Sequence, residues 1–161
     1  MNSLTAIGPL LAASLLLLWG CSSARTDDGL DTSAKDDRQR QEVVDNATAL
    51  IGTPYRYGGA NPDRGFDCSG LVHYVYLQAG RKVPRTVSQQ KKYARPIKLS
   101  QVRPGDLLFF DTRVDGGHIG IYLGDGRFVH APSTGGSVRI DRLNDAYWRN
   151  RVLGAGGVPG V

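Results

Sequence analysis

The hydrophobic period of this chain changes once, near Pro96, and that change limits the fold more than any other feature. From Gln41 to Ile51 the apolar positions Val43, Val44, Ala47, Leu50 and Ile51 recur at helical spacing, and Gly52 and Pro54 stop the run. The turn-rich stretch from Tyr55 to Asp63 follows. A second helix is expected from about Ser69 to Ala79, with Leu71, Val72, Val75 and Tyr76 as its inner stripe and Gly80 as its cap. Thr86 is placed to cap a short third helix through Tyr93, which Pro96 ends. After the turn Arg103-Pro104-Gly105 the pattern is that of strands. Asp106 to Phe110 reads as a buried strand, and His118–Leu123 and Arg127–Ala131 alternate on either side of Gly124-Asp125-Gly126, a hairpin signal. Ser137–Ile140 and Arg151–Leu153 read as further strands, with Tyr147 and Trp148 on a short helix between them. The Gly-rich segment from Gly154 to Gly160 reads as a flexible end. No internal repeat is present. Helices first and an antiparallel sheet afterwards define an α+β domain.

That domain occupies residues 43–161, one domain's worth of chain. Residues 4–20 carry no charge, are rich in Leu and Ala, and fall short of the ~20 residues a bilayer span needs. The run ends at Leu18-Trp19-Gly20-Cys21. It reads as a lipoprotein signal peptide over residues 1–20, with Cys21 acylated as the first residue of the mature chain. No Lys or Arg precedes the run and Trp19 is bulky for its place, so a plain membrane anchor and a simple secretory signal stand as alternatives. Ser22 follows the acylated cysteine, and by resemblance to lipoproteins that lack Asp there, sorting to an outer membrane is expected. Residues 21–42 carry almost no large apolar side chain and read as a disordered tether. The tether has a net charge of −2 and the domain one of +7. An exported basic domain suits an anionic polymer rather than nucleic acid, although scattered basic residues also serve simply for solubility.

With Cys21 acylated, Cys68 is the only free cysteine, in a compartment where thiols tend to oxidise. It stands in Gly65-Phe66-Asp67-Cys68-Ser69-Gly70, at or just before the first turn of the second helix. Orphan N–H groups at a helix start and a nearby imidazolium lower a cysteine pKa from its usual ~8.5, and the same N–H groups can hold the oxyanion formed when sulfur attacks a carbonyl. The hairpin register sets His118 nearly opposite His130, close enough for one ring to orient the other. We assign His118 as base and His130 as orienter; spacing alone also permits the reverse. A buried structural thiol, two ordinary strand histidines and a Cys/His zinc site are the competing readings. His73, five residues along the helix from Cys68, points elsewhere and reads as a helix-surface residue, so no metal or cofactor is expected.

Six segments together resemble the NlpC/p60 superfamily of cell-wall cysteine peptidases. They are Gly52-Thr53-Pro54-Tyr55-Arg56-Tyr57-Gly58-Gly59, Phe66-Asp67-Cys68-Ser69-Gly70, Val83-Pro84-Arg85-Thr86, Arg103-Pro104-Gly105-Asp106-Leu107-Leu108-Phe109-Phe110, His118-Ile119-Gly120-Ile121-Tyr122-Leu123-Gly124 and Phe128-Val129-His130-Ala131. The resemblance implies a papain-like core with Cys68 as nucleophile, His118 as base, His130 as third residue and Tyr55 helping to hold the oxyanion. It also implies that Asp67 and Ser69 line the pocket for the peptide stem. Asn61-Pro62-Asp63-Arg64 makes the loop before Cys68 slightly long for the family. The implied activity is that of a tethered peptidoglycan (murein) endopeptidase, lipid-anchored to the outer membrane, facing the periplasm and monomeric. The alternatives are an amidase or a lipid acyltransferase or phospholipase on the same fold, or a wall-binding lipoprotein without catalysis.

Overall fold

The helical stripe at Val43 and Ala47 belongs to a longer helix than its apolar residues suggest. In the computed structural model, which describes residues 28–112 and 117–161, α1 runs over Asp28–Thr48. The signal peptide, Cys21 and the first residues of the expected tether lie outside the described residues. From Asp28 onward the expectation of a disordered tether gives way to helix. The reason is that α1 docks through charge as well as through Val43 and Ala47, both fully buried. Arg40 donates to the buried Asp106 carboxylate at 2.8 Å, to Pro104 O at 3.1 Å and to Val161 O at 2.9 Å. Arg81 donates to Gln39 Oε1 at 2.6 Å, and Arg103 pairs with Asp37. An argument from apolar content alone does not see such partners.

A two-stranded ribbon, β1 (Ala60–Asn61) and β2 (Gly65–Phe66), precedes the central helix α2 (Cys68–Gln78). Asp67 caps α2 by accepting from Gly70 N at 2.6 Å, and Gly80 leaves it with a φ of +72°. Helix α3 (Val87–Tyr93) starts on a Thr86–Gln89 capping box. Next come β3 (Arg95–Ile97), β4 (Leu107–Phe110), β5 (His118–Gly124), β6 (Arg127–His130), β7 (Arg139–Arg142), α4 (Ala146–Arg149) and β8 (Val152–Gly157). The six-stranded sheet is antiparallel throughout, in the order β3-β8-β4-β5-β6-β7. This is the expected α+β architecture of helices and an antiparallel sheet.

The Gly-rich segment is not a flexible end. Its first half is β8, paired on both sides by β3 and β4. Its glycines are there for close packing: a Cβ at Gly156 would stand 2.7 Å from Ala94 Cβ, and one at Gly157 would stand 2.8 Å from Ile97 Cδ1. Pro96 lies in β3, an edge strand that tolerates a missing N–H, and not at a simple helix stop.

The sheet has a buried cluster on each face. One joins Leu71, Val72, Val75 and Tyr76 of α2 to Leu107, Phe109, Ile119, Ile121 and Val129. The other gathers Leu108, Phe110, Phe128, Trp148 and Ala155. Alternation puts His118 and His130 with the second cluster. Ile121 pairs with Val129 and Tyr122 with Phe128, so Gly120, not His118, is the cross-strand neighbour of His130. A Cβ at Gly120 would stand 3.4 Å from His130 Cβ. The two histidines are therefore diagonal neighbours, within reach of each other's rings.

Candidate active site

Cys68 is the first residue of α2, half-buried, and it shares a cavity of about 720 Å³ with Tyr55, Tyr57, His118, Arg139, Asp141, Tyr147 and Trp148. The loop that presents it is locked from behind. Asp67 Oδ1 accepts from Ser69 Oγ at 3.1 Å and from Arg85 Nη1 at 2.9 Å as well as from Gly70 N, while Oδ2 takes Arg85 Nη2 at 2.7 Å. Arg85 also reaches Ser69 Oγ at 2.9 Å and Gly59 O at 3.1 Å. Buried Gln90 ties Ser69 O at 2.9 Å to Pro84 O at 2.7 Å. Burial works against the Asp67 carboxylate, yet Arg85, the Gly70 N–H and Ser69 together hold its pKa below the usual range. Asp67 and Ser69, expected to line the stem pocket, brace the nucleophile loop, with Arg85 engaging both carboxylate oxygens of Asp67.

The expected lowering of the thiol pKa is also reversed. Burial, with the Asp67 charge added, pushes Cys68 up to about 11, despite the N–H groups of Ile119, Ser69 and Cys68 itself. Burial likewise pushes His118 down to about 3, helped by His130 and opposed by Asp141. Burial thus favours the neutral form of both groups on this cavity. Sulfur in such a site becomes nucleophilic as its proton leaves for the imidazole during attack. Tyr55 is raised, first by burial and then by Cys68 and Asp67, which keeps its phenol protonated and able to donate.

His118 is backed by a chain of hydrogen bonds. Its Nε2 lies 2.8 Å from His130 Nδ1, and His130 Nε2 lies 3.0 Å from Asp141 Oδ2. Trp148 Nε1 donates to the same Oδ2 at 2.8 Å, and Arg139 forks onto Asp141, Nε to Oδ1 and Nη2 to Oδ2, at 3.0 Å each. The Trp148 indole stacks on His118 with centroids 5.4 Å apart and meets His130 edge-on at 4.9 Å. Asp141, Arg139 and Trp148 escaped the reading of the sequence. The strand pattern ended at Ile140, one residue short of Asp141, because Asp141 and Arg142 add nothing to an apolar alternation. In the structure β7 runs on, pairing Asp141 with Phe128 and Arg139 with His130. His73 stands apart, its Nδ1 donating to Val83 O at 2.6 Å. Among the described residues no three His, Cys, Asp or Glu side chains converge as metal ligands.

Burying a neutral histidine makes the fold sensitive to acid. Burial depresses His130 to about 4, against the pull of Asp141, whereas an unfolded histidine keeps its ordinary value near 6.5. The unfolded chain therefore takes up the proton first. The stabilisation is complete above pH ~6.5 and is lost as pH falls towards 4, on the order of 3 kcal/mol for His130 alone. Thermal melts should show Tm dropping between pH 7 and 4.5, with a shallower drop in His130→Gln. Equal slopes would remove the histidine from the account.

A cysteine at the start of a helix thus opens onto the same cavity as a strand histidine backed by a second histidine and a carboxylate, on an α+β domain. The NlpC/P60 family profile matches residues 52–157, and the chain belongs to that family. It is 46% identical over 112 residues to the probable endopeptidase YafL of Escherichia coli, covering 65% of this chain and 44% of that protein. It is 39% identical over 127 residues to the murein DD-endopeptidase MepH of the same organism, covering 76% and 47%. A solved NLP/P60-family lipoprotein-like structure from Staphylococcus aureus superposes with a TM-score of 0.69 at 35% identity, covering 76% of this chain and 42% of that one. The chain thus matches less than half the length of these relatives.

Proposed function

We propose that this domain is a peptidoglycan endopeptidase that hydrolyses an amide of the stem or cross-link peptide through Cys68, His118 and His130. The observation that carries the reading is the opening of Cys68 and His118 onto one cavity, with His118 backed by the His130–Asp141 chain. The similarity to proteins named as endopeptidases, one of them a murein DD-endopeptidase, supports the substrate class. Cys68 Sγ attacks the amide carbonyl carbon while its proton passes to His118. The Cys68 N–H and the Tyr55 hydroxyl receive the charge that builds on the carbonyl oxygen. Collapse expels the amine, which takes the proton from His118, and leaves a thioester. His118 then removes a proton from water, the hydroxide oxygen adds to the thioester carbon, and the thiol departs reprotonated.

The proposed setting rests on the sequence alone: an outer-membrane anchor through acylated Cys21, a monomer facing the periplasm, and no nucleic-acid partner. The test is a digest of purified sacculi read by mass spectrometry. New muropeptides with free amino and carboxyl ends inside the peptide are the expected products, and their masses name the bond. Sacculi left intact by the folded protein would overturn the proposal, and release of whole peptides from sugar would replace it with an amidase.

A further inference from the structure

We propose that Asp141 is the positioning residue that fixes the tautomers of both histidines and so selects Nδ1 of His118 as the nitrogen that receives the Cys68 proton. The inference deepens the thiol-peptidase reading and rests on it for its catalytic consequence, though not for its structural content.

Three donors converge on one oxygen. Asp141 Oδ2 lies 2.8 Å from Trp148 Nε1, 3.0 Å from Arg139 Nη2 and 3.0 Å from His130 Nε2. An indole N–H and a guanidinium can only donate, and a carboxylate can only accept. The oxygen facing His130 is therefore an acceptor, and His130 Nε2 must carry a proton. Burial keeps His130 neutral, so its Nδ1 holds a lone pair. That lone pair faces His118 Nε2 at 2.8 Å, which must then be the protonated nitrogen of a neutral ring. Nδ1 of His118 is left as the basic nitrogen.

Without Asp141 nothing in the histidine pair prefers this order. The bond between the rings can be made with the proton on His118 Nε2 or with it on His130 Nδ1, one hydrogen bond in either case. The second arrangement moves the His118 proton to Nδ1 and blocks the base. Trp148 holds both rings in place but contributes no polar group to either ring, so it fixes their planes and not their protons. Arg139 fixes the carboxylate by engaging both of its oxygens. Burial opposes ionisation of Asp141, but Arg139, Trp148 and His130 together outweigh it and hold the carboxyl below its usual range. The carboxylate also faces the positive charge that His118 acquires during attack, through one intervening ring.

The asymmetry at Oδ2 separates two variants. In Asp141→Asn the amide oxygen settles where the three donors meet, so the tautomers survive, while the negative charge and the Arg139 Nε bond to Oδ1 are lost. In Asp141→Ala the acceptor is gone and the two arrangements mix. The ring nitrogens report this directly by 15N NMR, a readout that needs no substrate. In the wild type, His118 and His130 should both show the Nε2–H form. The wild-type pattern should persist in Asp141→Asn, change in Asp141→Ala, and return in Asp141→Ala with added formate. On sacculi, kcat should fall about a hundredfold or more in Asp141→Ala with KM little changed, and by less in Asp141→Asn. A wild-type spectrum with His118 protonated on Nδ1 overturns the proposal whether or not any variant folds. So does a folded Asp141→Ala with wild-type ring signals. Tautomers that behave as described in a protein that leaves sacculi intact would instead remove the endopeptidase reading and keep the role of Asp141 in ordering the rings.

Discussion

Cys68→Ala is expected to abolish amide hydrolysis while the protein stays folded. Only the sulfur is removed, and with it its contact to the Ile119 N–H, while the main bonds that seat the start of α2 do not pass through it. Asp67 accepts from Gly70 N and Arg85, Arg85 reaches Gly59 O, and Gln90 holds Ser69 O, all without the thiol. Loss of one half-buried atom from a loop braced in this way costs on the order of 1 kcal/mol. The loss of activity is of another size. With no nucleophile there is no thioester, and His118 has no group to deprotonate other than water that nothing here positions. A fall of roughly 10³-fold or more in the release of muropeptides is expected. Cys68→Ser should be almost as inactive, because a neutral imidazole driven down to about 3 is a weak base for a hydroxyl. Product release measured by mass spectrometry, alongside a melting curve for each variant, checks both halves. Appreciable cleavage by a folded Cys68→Ala would end the thiol mechanism.

What the sequence disclosed were features written in neighbouring residues. The stripe Leu71, Val72, Val75 and Tyr76 names the buried face of α2, and Thr86 with Gln89 names the start of α3. Gly124-Asp125-Gly126 names the β5–β6 turn, where Asp125 takes a φ of +52° between two glycines of positive φ. What it concealed were features decided by distant partners. The helix over Asp28–Thr48 depends on Arg40 finding Asp106, 66 residues away. The strand at Gly154–Gly157 depends on Ala94, Ile97 and Phe109 closing over bare backbone. The roles of Asp67 and Ser69 turn on Arg85, which a local reading places only in a loop. Asp141 has no signature of its own, since a lone acid in a polar strand acquires meaning only when β7 sets it beside His130. The resting protonation of Cys68 and His118 is likewise a property of burial: a helix start favours a thiolate, and here desolvation outweighs it.

The same dependence on distant partners gives the second large effect, at Gly70. An alanine in place of a helical glycine ordinarily stabilises by about 1 kcal/mol, because the chain loses less entropy on folding. Gly70 lies in the first turn of α2, and here the sign reverses. A Cβ there would stand 1.9 Å from Gly59 O, 3.0 Å from Gly59 C and 3.1 Å from Arg85 Nη2. The obstacle is backbone, not the end of a flexible side chain. Gly59 is itself closely packed on its other side, where a Cβ built on it would stand 2.3 Å from Gly65 O. Its carbonyl also accepts from Asp67 N at 3.1 Å and from Arg85 Nη2. Gly70→Ala must push α2 away from the loop or break that carbonyl's bonds, and either motion displaces Cys68, two residues earlier. A destabilisation of about 3 kcal/mol or more is expected, beyond the usual cost of overpacking because the contact is with fixed main chain. Activity per folded molecule should fall as well. Urea denaturation of Gly70→Ala beside the wild type measures the first effect and a titrated sacculus digest the second. A midpoint at or above that of the wild type would mean that α2 can slide freely on the loop, and with it that the position of Cys68 is not set by the Gly59–Gly70 contact.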